Sequence, residues 1–173
     1  MILALDPATR TGVRHEGGLL VTWDLSSRKT EHPGMVLDSF RKRLHGLWRQ
    51  HPFTKIASED ASFGSPNPQV QAFHNQLRGV IYLVAYELGS LPVVMYKPTS
   101  IKKYATGSGK ADKRQVVDAA WEKLGLRCHD DNQADAAWVL EMCKNQWTAG
   151  CKSYMIPKDG TPRTPPLGDD LPF

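Results

Sequence analysis

Four carboxylates stand where regular elements should stop or start. Asp6 closes the apolar run 1–5 and is followed by Pro7, Glu59 closes the run 54–58, and Asp131 and Asp135 open a helical stretch. The helical pair is spaced i, i+4, so both carboxylates project from one face with about 5–6 Å between their Cβ atoms. Each acid also has an ordinary use: Asp-Pro makes turns, and acids in a first helical turn favour the positive end of the helix dipole. Convergence separates the two uses. Acids brought together from distant elements repel one another, so their pKa values rise unless cations neutralise them. An all-oxygen donor set without histidine or cysteine favours Mg²⁺ or Mn²⁺, and two such ions suit in-line attack of water on a phosphodiester.

The elements that must position these acids can be read from periodicity. Residues 1–5 form a continuous apolar run, as in a buried strand, and 11–15 and 19–25 flank Gly17-Gly18, which suits a tight hairpin. Helical spacing over 35–50 ends at His51-Pro52, a fourth strand spans 54–58, and a long helix covers 69–88 before Gly89-Ser90. A fifth strand at 91–96 leads into a basic stretch, 97–114, interrupted by Gly107-Ser108-Gly109. Helices follow at about 111–124 and at 131–147. The expected fold is α/β, a five-stranded mixed sheet whose first three strands are antiparallel, with helices on both faces.

Composition narrows the function classes. The 173 residues are 40% hydrophobic and 23% charged, enough for one folded core. Twenty-two basic against 18 acidic residues leave a net charge of +4 and a pI near 9.0, which favours a polyanionic partner. Cys128, Cys143 and Cys151 are odd in number and form no C-x-x-C pair, so a reducing cytoplasm is expected rather than a disulfide framework or zinc ribbon. The acid at position six argues against a signal peptide, and the apolar stretch 80–86 is far shorter than the ~20 residues of a membrane span. Beyond Gly150 the composition changes. Five of the 12 prolines fall there, which marks 1–150 as the folded domain and 151–173 as an extended, disordered tail.

The order strand-Asp, hairpin, strand-Glu, long helix, strand, basic Gly-broken segment and helical Asp pair resembles the RuvC-type Holliday junction resolvases of the RNase H-like superfamily. The likeness rests on Ile2-Leu3-Ala4-Leu5-Asp6-Pro7, the Glu59 strand end, Pro98-Thr99-Ser100-Ile101-Lys102 with Gly107-Ser108-Gly109-Lys110-Ala111-Asp112-Lys113, and Asn132-Gln133-Ala134-Asp135-Ala136-Ala137. It spans about 1–147 and looks strongest to the compact phage-encoded versions.

The resemblance implies a homodimeric, Mg²⁺-dependent endonuclease of recombination and repair that cuts four-way DNA junctions and other branched DNA, leaving 5′-phosphates. Asp6, Glu59 and Asp135 match the family's catalytic acids. The fourth ligand departs from the pattern: the family often spaces its last two acids i, i+3, and here Asn132 holds that position. Asp131 is therefore assigned as the fourth ligand, with Asn132 as a water-bridged one. Lys102 and Lys113 match residues that contact junction phosphates, and Lys97, Lys103, Lys110 and Arg114 enlarge the patch, six basic residues against one acid within 97–114. Phe63, in a Gly/Pro loop, matches an aromatic wedge that stacks on an unpaired base. His74 and His129 are weaker candidates for proton transfer.

Val70, Phe73 and Leu77 on the long helix offer a candidate dimer face. Three rivals stand beside this reading: a YqgF-like RNA-processing nuclease, a catalytically silent junction-binding protein, and, least supported because no second phosphate loop is present, an actin-like ATPase. The terminal Gly168-Asp169-Asp170-Leu171-Pro172-Phe173 resembles the acidic tip of bacterial single-stranded-DNA-binding proteins. Asp169, Asp170, Leu171 and Phe173 would then dock into proteins that recognise that tip, or fold back on the chain's own basic patch.

Overall fold

A computed structural model describes residues 1–26, 32–60 and 67–145 and the backbone of 151–154. Its elements in chain order are β1 (Ile2–Asp6), β2 (Arg10–His15), β3 (Leu20–Asp24), α1 (Gly34–Gln50), β4 (Lys55–Glu59), α2 (Pro68–Glu87), β5 (Val93–Tyr96), α3 (Pro98–Thr106), α4 (Lys113–Leu124), α5 (Asp131–Lys144) and β6 (Cys151–Tyr154). They build one mixed sheet in the order β3-β2-β1-β4-β5-β6. The pairs β1/β2 and β2/β3 are antiparallel, β1/β4 and β4/β5 parallel, and β5/β6 antiparallel.

All five expected strands are present with the expected hairpin start, and helices cover both faces. The sheet also carries a sixth strand. β6 adds to the β5 edge in the segment assigned to the tail, so the backbone of the sheet continues past the expected boundary near 150. A second addition is α3, inside the basic stretch. Pro98 stands in its first turn with a φ suited to a helix start, and Gly107 ends it at φ +87, a left-handed conformation that glycine adopts without a Cβ penalty.

The two faces of the sheet differ in residue size, and this difference locates the site. Strand alternation sends Leu3, Leu5 and Ile56 into a core shared with α1 and α2, including Phe40, Leu44, Leu77 and Ile81. Each such fully buried side chain contributes about 1.5–3 kcal/mol. On the other face β1 and β4 present Ala4 and Ala57, which pack with Ala134, Trp138, Val139 and Leu140 of α5. Small residues on both partners let α5 lie close against the sheet. It is buried on nearly every side and lacks a polar stripe, as expected of a helix enclosed by β1, β2 and β4 on one side and α3 and α4 on the other. Asp6 and Glu59 are two residues beyond Ala4 and Ala57, so the same alternation turns both carboxylates toward α5. Asp60 faces the other way and is buried against Arg78 of α2 at 3.1 Å.

The long helix corrects one expectation. Leu77 is fully buried and Phe73 packs on the core, so neither forms an outward face; the exposed apolar side chains on α2 are Val70, Leu83 and Tyr86.

Candidate active site

The N-terminus of α5 is brought to the strand ends by local chemistry. Asp130 caps the helix, its Oδ1 accepting from the Gln133 amide at 2.9 Å, while Oδ2 accepts from Arg10 at 3.1 Å and from the Thr22 hydroxyl at 2.8 Å. One acid thus ties the helix start to β2 and β3. Gln133, itself buried, donates to Thr22 Oγ1 at 3.2 Å and accepts from the His129 amide at 3.0 Å. The approach is so close that a Cβ on Gly12 would fall 1.9 Å from the Asn132 carbonyl oxygen. Only glycine fits there.

Asp6, Glu59 and Asp135, from β1, β4 and α5, form one interacting group. Burial pushes the Asp6 carboxyl well above the usual carboxylate range, and the charges of Asp135, Asp131 and Asp130 add to it while Lys113 opposes. Glu59 is raised in the same way, by burial first and then by Asp6 and Asp135, against Lys102. Asp135 is pushed up to about 6, again by burial and then by Asp131, with Lys102 and Lys113 pulling it down. Asp131 differs. Burial acts on it too, but its hydrogen bond from Lys113 and the charges of Lys113 and Arg10 outweigh that and hold it below the ordinary value.

The donor chemistry fits a hard divalent cation: oxygen ligands only, with repulsion among buried acids that positive charge would relieve. Among the described residues no three acidic, histidine or cysteine side chains are already gathered at metal-ligand spacing. Lys113 engages one carboxylate oxygen of Asp131 and leaves the other for a cation.

Several sequence assignments can now be located. Asn132 reaches Asp6 directly: in the orientation that satisfies both ends of its amide, the nitrogen donates to Asp6 Oδ2 at 3.3 Å and to the Arg10 carbonyl at 3.1 Å. Lys102 and Lys113 act on the acids themselves, whereas Lys97, Lys103, Lys110 and Arg114 are exposed on the segment around α3 and the start of α4. His129 is exposed, and His74 is half-buried on α2; neither enters the electrostatics of the three raised acids. Phe63, Asp169, Asp170, Leu171 and Phe173 lie outside the described residues. Sequence reasoning missed Asp130 and Gly12. The spacing Asp130-x-x-Gln133 is an N-cap signal that could have marked the first, while nothing local marks the second.

Comparison with known proteins gives a consistent result. The family model for crossover junction endodeoxyribonuclease RuvC matches residues 2–143. A crossover junction endodeoxyribonuclease RuvC of Chloroflexus aggregans is 33% identical, the alignment covering 90% of this chain and 93% of the relative. One from Rubrobacter xylanophilus is 32% identical over 78% and 79% of the two chains. Among solved structures, Thermus thermophilus RuvC in complex with a Holliday junction substrate superposes with a TM-score of 0.72 at 20% identity, covering 88% of this chain and 98% of that one. The yeast mitochondrial Holliday junction resolvase Ydc2 gives 0.52 at 15% identity over 80% and 75%. These two likenesses establish the RNase H-like fold.

Proposed function

The chain belongs to the RuvC family of crossover junction endodeoxyribonucleases, which are metal-dependent nucleases, and from that membership we propose that it resolves Holliday junctions and related branched DNA through Asp6, Glu59, Asp131 and Asp135. One observation carries the residue assignment: Asp6, Glu59 and Asp135 come from three separate elements, burial raises the pKa of each, and the charge of Asp135 reaches both Asp6 and Glu59. These three and Asp131 would hold two Mg²⁺ ions, with Mn²⁺ as substitute. Bound there, the ions supply the positive charge that acidifies an attacking water and offsets charge on the leaving oxygen.

The protein's own groups do the rest. Asp6 is buried and Glu59 half-buried, which limits screening of the site by bulk water. Asn132 and Asp130 fix Asp6 and the start of α5, so the acids meet the scissile phosphate from a rigid frame. Lys102 and Lys113 stand beside the acids, where they can receive phosphate oxygens, and Lys97, Lys103, Lys110 and Arg114 extend the positive surface along the DNA. Phe63 would stack on an unpaired base at the crossover. Cleavage leaves nicked duplexes with 5′-phosphates.

A four-way junction is close to two-fold symmetric, which suits a homodimer with isologous contacts. The exposed Leu83 and Tyr86, three residues apart on α2, would offer an apolar surface to that assembly. Among the described residues no helix is long and apolar enough to cross a membrane.

Comparative cleavage of four-way junction, flap, linear duplex and RNA by the purified chain with Mg²⁺ tests this reading. The junction should be cut fastest. Preferential cleavage of RNA would support the YqgF-like alternative, and junction binding without nicking would support a silent binder.

A further inference from the structure

The positive charge of this protein is concentrated in one segment. Residues 97–127 hold eight of the basic residues and three acids, whereas the rest of the chain is close to neutral, with 14 basic and 15 acidic residues. The segment comprises α3, α4 and the turn after α4, and Lys113 at its middle is paired with the site acid Asp131. Lys113 begins α4, and Trp121 follows a little over two turns later. Arg114 and Trp121 are seven residues apart, two helical turns, and so lie on one stripe. Trp121 is 52% exposed, the only exposed tryptophan among the described residues, and the Arg127 guanidinium lies over its ring at 5.0 Å from the centroid. Arg127 has no carboxylate partner among the described residues, and its position over the ring is a cation–π contact.

Building on the proposed junction cleavage, we infer that Trp121 and Arg127 form the outer end of a track for one duplex arm of the junction, with Arg127 held against the ring so that its N–H fork meets a backbone phosphate. The rise of α4 from Lys113 to Trp121 is about 12 Å, which corresponds to three or four phosphates of one strand at about 3.4 Å of duplex axis each. An arm whose scissile phosphate lies at the acids thus reaches the Trp121–Arg127 pair within a few base pairs. The ring limits the rotamers of the arginine and so reduces the entropy lost on phosphate binding. Asp118 and Glu122 also belong to α4; Asp118 stands 3.7 Å from Arg114 and partly offsets it, whereas Arg127 lies beyond the C-terminal end of the helix.

The test is junction binding by fluorescence anisotropy in Ca²⁺ across a salt series, using wild type, Arg127→Ala, Trp121→Ala and, on the opposite face of the sheet, Arg49→Ala in α1. Arg127→Ala should weaken binding about 3–10-fold near 0.1 M salt and lower the slope of log affinity against log salt by about 0.9, the value of one phosphate contact. Trp121→Ala should weaken binding in the same direction by a smaller factor, and Arg49→Ala should match wild type. All three side chains are exposed, and circular dichroism is the check that each variant folds. Wild-type affinity and slope in both Trp121→Ala and Arg127→Ala, or an equal loss with Arg49→Ala, would overturn the inference. So would a change in oligomeric state of Trp121→Ala by sedimentation with DNA affinity intact, because the pair would then be a protein contact. Failure of the wild type itself to bind junctions would instead overturn the functional reading on which the inference rests.

Discussion

Asp135 carries a cost that its chemistry explains. With its carboxyl raised to about 6 from a usual 3.8, the folded state holds the proton more tightly than the unfolded chain does. The resulting stabilisation is complete below about pH 4 and is lost as pH rises through about 6. In metal-free protein at pH 8, Asp135→Asn should therefore raise stability by about 1–3 kcal/mol, with little effect at pH 4, as read by thermal melts in EDTA. A melting temperature that stays the same or falls at pH 8 would mean that the acids are not crowded. The same variant, like Asp6→Asn and Glu59→Gln, should lose cleavage by 10²-fold or more while binding junctions as well as wild type or better, since a carboxylate facing phosphate has been removed. Asp131→Asn should also lose cleavage and Asn132→Ala should lose less; the reverse order would reassign the fourth ligand. The positions of the strand-end acids were legible because each follows an apolar run that reads as a buried strand, and β1 and β4 do end at Asp6 and Glu59. The roles of Asp130, Asp131 and Asn132 were not, because three adjacent polar residues at a helix start differ only in direction, and direction depends on Arg10, Thr22 and Lys113 from distant elements.

At the level of elements, the site depends on how closely α5 lies against β2. Gly12→Ala would put a methyl group 1.9 Å from the Asn132 carbonyl oxygen, a contact that only movement of α5 can relieve. We expect a loss of about 1–3 kcal/mol in thermal melts and a cleavage rate lower by 10²-fold or more, since an ångström of displacement at the acids is enough. Gly46→Ala is the useful contrast: it lies within α1 with open space at its Cβ, and should gain about 0.5–1 kcal/mol with unchanged cleavage. Equal effects at the two glycines would remove the packing argument. The strands and the long helices were readable from periods of two and 3.6, because each has a face buried in a core. α3 was obscured by its lysines and by the glycines after it. β6 was obscured more completely, since Cys151–Tyr154 joins the β5 edge by backbone pairing, which leaves little trace in side-chain pattern.

For the whole molecule, the distribution of charge and the tail set what can be tested beyond the fold. The terminal residues 168–173 are proposed to recruit proteins that recognise the tip of single-stranded-DNA-binding proteins. Deleting them should leave cleavage of naked junctions unchanged and abolish that binding in a pull-down. Tighter DNA binding by the truncated chain at low salt would favour self-occlusion of the basic patch instead. Family and the first five strands of the sheet were legible in 173 residues because they rest on local patterns in a fixed order. The pairing of Lys113 with Asp131 and the position of Arg127 over Trp121 were not, because each requires two segments to meet. The central claim is that Asp6 and its partners cut branched DNA with a divalent cation, and a denaturing gel of a labelled four-way junction, incubated with wild type or Asp6→Asn in Mg²⁺ or EDTA, tests it most directly. The account predicts discrete nicks bearing 5′-phosphates for wild type in Mg²⁺ alone; nicking of equal rate by Asp6→Asn, or by wild type in EDTA, would contradict it.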